Sequence, residues 1–245
     1  MRKTWIIARR ELASFFDGPM AYILLVALLG TWGFFTWWYG AWYPDVFMRK
    51  QADLSAFFQT AYWTLFLFIP ALTMRTLAEE RRSGTLDLLL TKDVSDGQVV
   101  GGKFLACLLL IVLALAFTLP YYFAIAGIGT MDHGAVWCGY FGLLCMSAGY
   151  VAIGIYASSL SRNQIEAFLV GMLIIIVFHV LAMVLSSNFT GPLGVFLQFL
   201  STAEHFDSMS RGVVDSRDLV YFASVIVFAL VLAERNLAKR MFDRS

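Results

Sequence analysis

Few residues in this sequence have the type and spacing to do chemistry. His179 sits midway along an apolar run. A single neutral imidazole there suits a packed, hydrogen-bonded role better than a proton relay. Gly101-Gly102-Lys103-Phe104 contains Gly-Lys, but Phe stands where a phosphate-cradling loop needs Ser or Thr, and the wider G-x-x-x-x-G-K-[ST] pattern is absent. No G-x-S-x-G supplies a serine nucleophile. Glu204, His205 and Asp207 fall within four positions and have the donor types of a metal site, but a hydrogen-bonded loop is the simpler reading. Cys107, Cys138 and Cys145 lie in or beside apolar runs at a spacing that suits no zinc motif, as packing thiols do. The chain therefore offers no catalytic constellation, no metal site and no cofactor site, and no enzymatic activity is expected of it.

One stretch stands apart: Glu79-Glu80-Arg81-Arg82-Ser83-Gly84-Thr85-Leu86-Asp87-Leu88-Leu89-Leu90. It is charge-dense, then broken at Gly-Thr, then rich in leucine. That order predicts a helix end followed by a short helix lying across a membrane surface. Thr85 can cap the short helix, and Leu86, Leu89 and Leu90 form its apolar side. Gly84 permits the turn into it. A Leu face fills a groove on a soluble partner, and Glu79, Glu80, Arg81 and Arg82 can fix the register by charge pairs. A bare loop needs no such face.

The elements that hold this stretch are set by composition. Of 245 residues, 60% are hydrophobic and 14% are charged, and mean hydropathy is +0.73. Soluble domains are about 25% charged and about half apolar, so the solvent here is lipid. The expected fold is all-α, with six transmembrane helices over about 19–42, 56–77, 99–128, 135–160, 165–185 and 218–237 in a single domain, 1–245. Residues 1–17 form an interfacial amphipathic helix, with Trp5, Ala8, Leu12, Phe15 and Phe16 on one side and Lys3, Arg10, Glu11 and Ser14 on the other. Trp37, Trp38, Trp42 and Tyr43 crowd the far end of the first span as an aromatic belt. Pro70 and Pro120 should bend the second and third spans. Ser95 and Gln98 form a capping box that opens the third. Short outer helices lie between the fifth and sixth, where 195–200 is apolar enough to dip into the interface.

Six spans put both termini on one side. Only four of the eighteen Lys and Arg residues, Arg49, Lys50, Arg211 and Arg217, fall on the other. The positive-inside rule places the termini and the Glu79 stretch in the cytosol. Small residues in the fourth span, Gly142, Ala148, Gly149 and Gly154, allow close helix contact, within one subunit or between two. No carboxylate, Lys or Arg lies well inside a span, which argues against an ion-coupled secondary carrier. A carrier without ATP, or a membrane scaffold, remains the alternative. The aromatic-rich, charge-poor interior suits a lipidic or amphipathic cargo, or force passed to an outer partner. No nucleic-acid partner is expected.

The run Glu80 to Leu90, with Val94-Ser95 and Gly102-Lys103 after it, resembles the pattern following the second span of ABC-2-type ABC transporter permeases. The later run His205-Phe206, Arg211-Gly212-Val213-Val214-Asp215, Arg217-Asp218 and Tyr221-Phe222 resembles the gliding-motility-associated branch of that family. Asp93 and Thr202 stand where the family pattern has Pro. The resemblance implies a bacterial inner-membrane permease subunit that exports or transmits force, acting with a second copy or a related permease. It also implies a separate ABC ATPase subunit that holds ATP and Mg, and a separately encoded outer-facing accessory protein. By the resemblance, Glu79, Glu80, Arg81, Arg82, Gly84, Thr85, Leu86, Asp87, Leu89 and Leu90 form the ATPase contact. His205, Phe206, Gly212, Asp215, Arg217 and Asp218 form an outer motif.

Overall fold

A chain in hydrocarbon must satisfy its backbone internally, and a helix does so within each segment. The computed structural model describes residues 2–38, 46, 52–84, 94–189 and 191–242, and every regular element among them is helical. In order they are α1 (Arg2–Asp17), α2 (Pro19–Trp37), α3 (Ser55–Thr73), α4 (Ala78–Arg82), α5 (Asp96–Ala116), α6 (Leu119–Ala126), α7 (His133–Leu160), α8 (Gln164–Ile176), α9 (Ala182–Asn188), α10 (Pro192–Leu200), α11 (Thr202–Ser210) and α12 (Ser216–Phe242). A π-helical turn, Val177–Leu181, joins α8 to α9.

Five of these stretches are long and apolar enough to cross a membrane: α3 with α4, α5 with α6, α7, α8 through α9, and α12. They overlie the expected second to sixth spans. The expected first span is helical over Pro19–Trp37 and counts as a sixth only together with α1, to which it is bent by 80°. Residues 39–42 of that span, with Trp42 and Tyr43, lie outside the described residues. Short helices α10 and α11 occupy the segment between the last two spans.

The breaks follow local chemistry. Pro120 has no N–H for the carbonyl of Ala116, and α5 ends at that residue. Helix α6 then starts with Pro120 in its first turn. Pro70 stays inside α3, which ends three residues later. Ser95 Oγ accepts from the Gln98 N–H at 3.3 Å, while Gln98 Oε1 accepts from the Ser95 N–H at 3.4 Å, so the expected capping box is present. Asp132 caps α7 through the Ala135 N–H, and Asn163 caps α8 through the Glu166 N–H.

Helix α7 is the axis of the bundle, packing against α3, α5, α8, α11 and α12. Its apolar window is 78% buried, against 22% for α8 through α9. Small residues bring the neighbours in. A Cβ on Gly154 would collide with Thr73 of α3, and one on Gly142 would stand 2.9 Å from Met209 Cβ of α11. Gly149 faces Phe222 and Val225 of α12 with more room, 3.7 Å at the nearest atom. These close approaches are therefore contacts within one chain. Trp32 Nε1 donates to Thr64 Oγ1 at 2.7 Å, which fastens α2 to α3.

Overpacking a tight site costs about 1–3 kcal/mol. Gly154→Ala is expected to lower the thermal midpoint of the detergent-solubilised protein by several degrees, at about 2–4 °C per kcal/mol for a chain of this size. Gly149→Ala should leave it nearly unchanged.

Candidate functional site

The Glu79 stretch begins as the helical elbow α4. Five residues cannot hold a helix alone, so neighbours hold it. Ser158 Oγ of α7 accepts from both the Leu77 and Ala78 N–H groups at 3.0 Å and donates to the Met74 carbonyl at 3.2 Å. A side chain from another helix thus caps the elbow. Arg81 reaches back to the end of α7, donating to the carbonyls of Ser159 at 2.9 Å and Ser161 at 2.6 Å. A guanidinium there satisfies orphan carbonyls and meets the negative end of the helix dipole. Asn236 of α12 donates to the same Ser159 carbonyl at 2.7 Å. Gln164, at the start of α8, donates to Glu79.

The fourth tie is ionic. Lys103 of α5 has a side chain only 1% exposed, and its Nζ lies 2.7 Å from Glu80 Oε1 and 3.2 Å from Glu11 Oε1. This one ammonium joins α5, the elbow and α1. It also corrects the helical wheel of α1. Ala8 is buried and Leu12, Phe15 and Phe16 pack on the core as expected, but the inward face also carries Ile7 and part-buried Glu11, while Trp5 is 55% exposed. Glu11 turns inward because its charge partner is inside. Gly102 lets α1 approach, since a Cβ there would lie 2.6 Å from an Ile7 carbon.

The structure thus puts Glu79, Glu80 and Arg81 into contacts within the chain. Arg82, Ser83 and Gly84 are exposed, and Gly84 has φ +71°, the left-handed turn anticipated for it. Thr85, Leu86, Asp87, Leu89 and Leu90 lie outside the described residues.

At the opposite end of the bundle, His205, Phe206, Gly212, Asp215, Arg217 and Asp218 close into one unit between α11 and α12. His205 Nε2 is 3.0 Å from the Phe199 carbonyl, which can only accept, so Nε2 carries a hydrogen. His205 Nδ1 is 2.7 Å from Asp218 Oδ1, and one proton must lie between them. The imidazole also stacks on Tyr221, centroids 4.1 Å apart, and the Tyr221 hydroxyl reaches the Leu200 carbonyl and Thr202 Oγ1 at 3.0 Å. Phe206 packs on Gly142 and stacks on Tyr62 of α3. Gly212 has φ +90° and brings its backbone against Ala135. Asp215 caps α12: its Oδ1 accepts from the Arg217 N–H at 2.9 Å, which holds this exposed carboxyl below the usual carboxylate range. The Arg217 side chain is exposed. His205 therefore turns to Asp218 and not to Glu204 and Asp207. Among the described residues no group of three His, Cys, Asp or Glu is placed to hold a metal ion.

The family model for ABC-2 family transporter proteins matches residues 49–233. The chain belongs to the ABC-2 transporter family. No curated protein matches it. As an ABC-2 chain it is a multi-pass membrane protein and the membrane domain of a transporter, and the family implies a partner ATPase. The match spans α3 to most of α12, so it includes the elbow, Lys103 and the His205–Asp218 pair.

Three features of this ABC-2 chain escape sequence reasoning. Lys103 counts as one more charge at the terminus-bearing end until its burial is seen. Ser158 and Ser159 resemble any other small residues of α7. His179 is fully buried, with Nδ1 2.6 Å from the Tyr150 hydroxyl and its ring stacked between Tyr62 and Phe66. That is the packed, hydrogen-bonded role expected of it, and what escapes is the π-turn that places it, which sequence periodicity does not announce.

Removing Lys103 leaves two carboxylates facing one another. Breaking a buried pair costs about 3–5 kcal/mol, and the part-exposed carboxylates place this one at the lower end. Lys103→Met should unfold at markedly lower temperature, and Glu11→Gln/Glu80→Gln/Lys103→Met should regain most of the loss. At the other end, His205→Phe keeps a ring on Tyr221 but strands Asp218, so the thermal midpoint should drop by about 6 °C or more. Adding Asp218→Leu should restore most of it.

Proposed function

We propose that this chain is an ABC-2 permease subunit whose elbow end faces the cytosol and docks a separate ATPase. ATP and Mg sit on that partner, and this chain binds no nucleotide. The observation that carries the reading is the bracing of the elbow. Residues 85–90 follow directly from a helix tied to α1, α5, α7 and α8, so a push on them would be passed to four helices at once. Glu79, Glu80 and Arg81 anchor the elbow inside, while exposed Arg82 and the leucines at 86, 89 and 90 form the contact with the ATPase. The working unit contains two permease copies, or this copy and a related one, in a bacterial inner membrane with both termini cytosolic. The motif from His205 to Asp218 supports a place in the gliding-motility-associated branch, with an outer accessory protein above it. Export and force transmission both fit this design. Among the described residues the buried charges, Lys103 and Asp218, lie in the opening turns of their helices and not at mid-span, which disfavours an ion-coupled carrier.

Leu86→Asp would place an unpaired charge in a groove, a cost of several kcal/mol, and about 1.4 kcal/mol is tenfold in affinity. The permease should insert at normal levels, and recovery of the ATPase in pull-downs from detergent extracts should fall by at least about tenfold. Arg82→Glu should weaken recovery without lowering the thermal midpoint. Equal recovery with wild type and both variants would refute the docking assignment.

A further inference from the structure

A cavity of about 570 Å³ opens at the end opposite the elbow, between the first turns of α3, Met183 of α9 and the length of α11. That volume is in the range of small-molecule pockets. Four aromatic rings share its wall with polar side chains: Phe58, Tyr62 and Trp63 from α3 and Phe206 from α11. Trp63 is 37% exposed, while the other three are buried, so among these rings it has the most surface free to meet a ligand. The walls are also rigid. Phe58 packs edge-on to Tyr140 of α7, and Tyr62 is held between Phe206 and His179 with its hydroxyl 3.4 Å from the His179 carbonyl.

The rim carries the charge. Asp207 and Arg211, one helical turn apart, pair at 2.8 Å and cancel. Glu204 lines the same cavity, is exposed, and has no ion-pair partner among the described residues. Among the described residues that line the cavity, the net charge is one negative. An aromatic ring and an unpaired carboxylate lining one cavity can both attract a poorly hydrated cation, by the ring quadrupole and by charge. They repel an anion of the same shape. The adjacent Phe and Met surface then favours an apolar body attached to the cation.

We propose that this cavity binds an organic cation with an apolar body, its ammonium group held between Glu204 and Trp63. The site lies in one chain and needs neither ATP nor a second copy, so it stands apart from the docking assignment. Quaternary ammonium compounds test it by equilibrium dialysis against the full chain in lipid nanodiscs, with empty nanodiscs subtracted. Octyltrimethylammonium should bind saturably at one site per chain, and octanoate should not. Glu204→Gln, a change at an exposed rim position, should weaken the cation by about tenfold, and Trp63→Leu by a lesser factor. Thermal midpoints equal to wild type would show that both variants are folded. Benzyltrimethylammonium separates the sources. Binding comparable to the octyl compound indicates a ligand taken from water, and binding of the octyl compound alone indicates one taken from the bilayer. Octanoate binding as tightly as the cation, unchanged affinity in Glu204→Gln, or no saturable cation binding would each overturn the proposal.

Discussion

One buried ammonium sets the geometry of the elbow end. Lys103 has almost no access to solvent, and an isolated charge in that position is untenable. It persists because Glu80 and Glu11 come to it from two other helices. The consequence runs outward from there. The amphipathic helix α1 must present Glu11 inward, Gly102 must lack a side chain so that α1 can sit close, and the elbow must lie where Glu80 reaches the amine. Ser158 and Arg81 then complete the backbone of the elbow and of α7, so the same few residues cap two helix ends and fix their relative position.

The two ends of the bundle solve their problems differently. Charge and helix capping hold the elbow end. At the opposite end, ring stacking and hydrogen bonds gather around the His205–Asp218 pair. Helix α7 connects them, and its glycines let α3, α11 and α12 come close enough for both sets of contacts to form on one axis. The elbow and the cavity wall formed by Phe58 and Phe206 thus both rest on α7, the elbow through Ser158 and the wall through Gly139 and Gly142.

Helix placement was legible in the sequence because hydrocarbon imposes long apolar runs, and because Pro120, the Ser95 capping box and Gly84 act locally. The motif from His205 to Asp218 was legible as a pattern, but its reason, a proton shared between α11 and α12, depends on which side chains meet. The roles of Lys103 and Glu11 were not legible. A wheel drawn for α1 assigns Glu11 to water because it counts polarity, whereas the actual partner lies 92 positions away in sequence on α5. Glu79, Glu80 and Arg81 carry the same lesson. A charged run before a leucine face looks like a surface for a partner, yet three of its residues turn inward to orphan carbonyls, an amide and an amine.

The central claim is that α1 and the elbow are mechanically one unit through Lys103. Amide hydrogen exchange in lipid nanodiscs tests it most directly, comparing wild type with Glu11→Gln. Local opening is reported residue by residue in such a measurement. The substitution lies on α1, so the account predicts faster exchange at elbow residues 78–82 as well as within 2–17, while the middle of α7 stays protected. Faster exchange confined to 2–17, with the elbow unchanged, would contradict it.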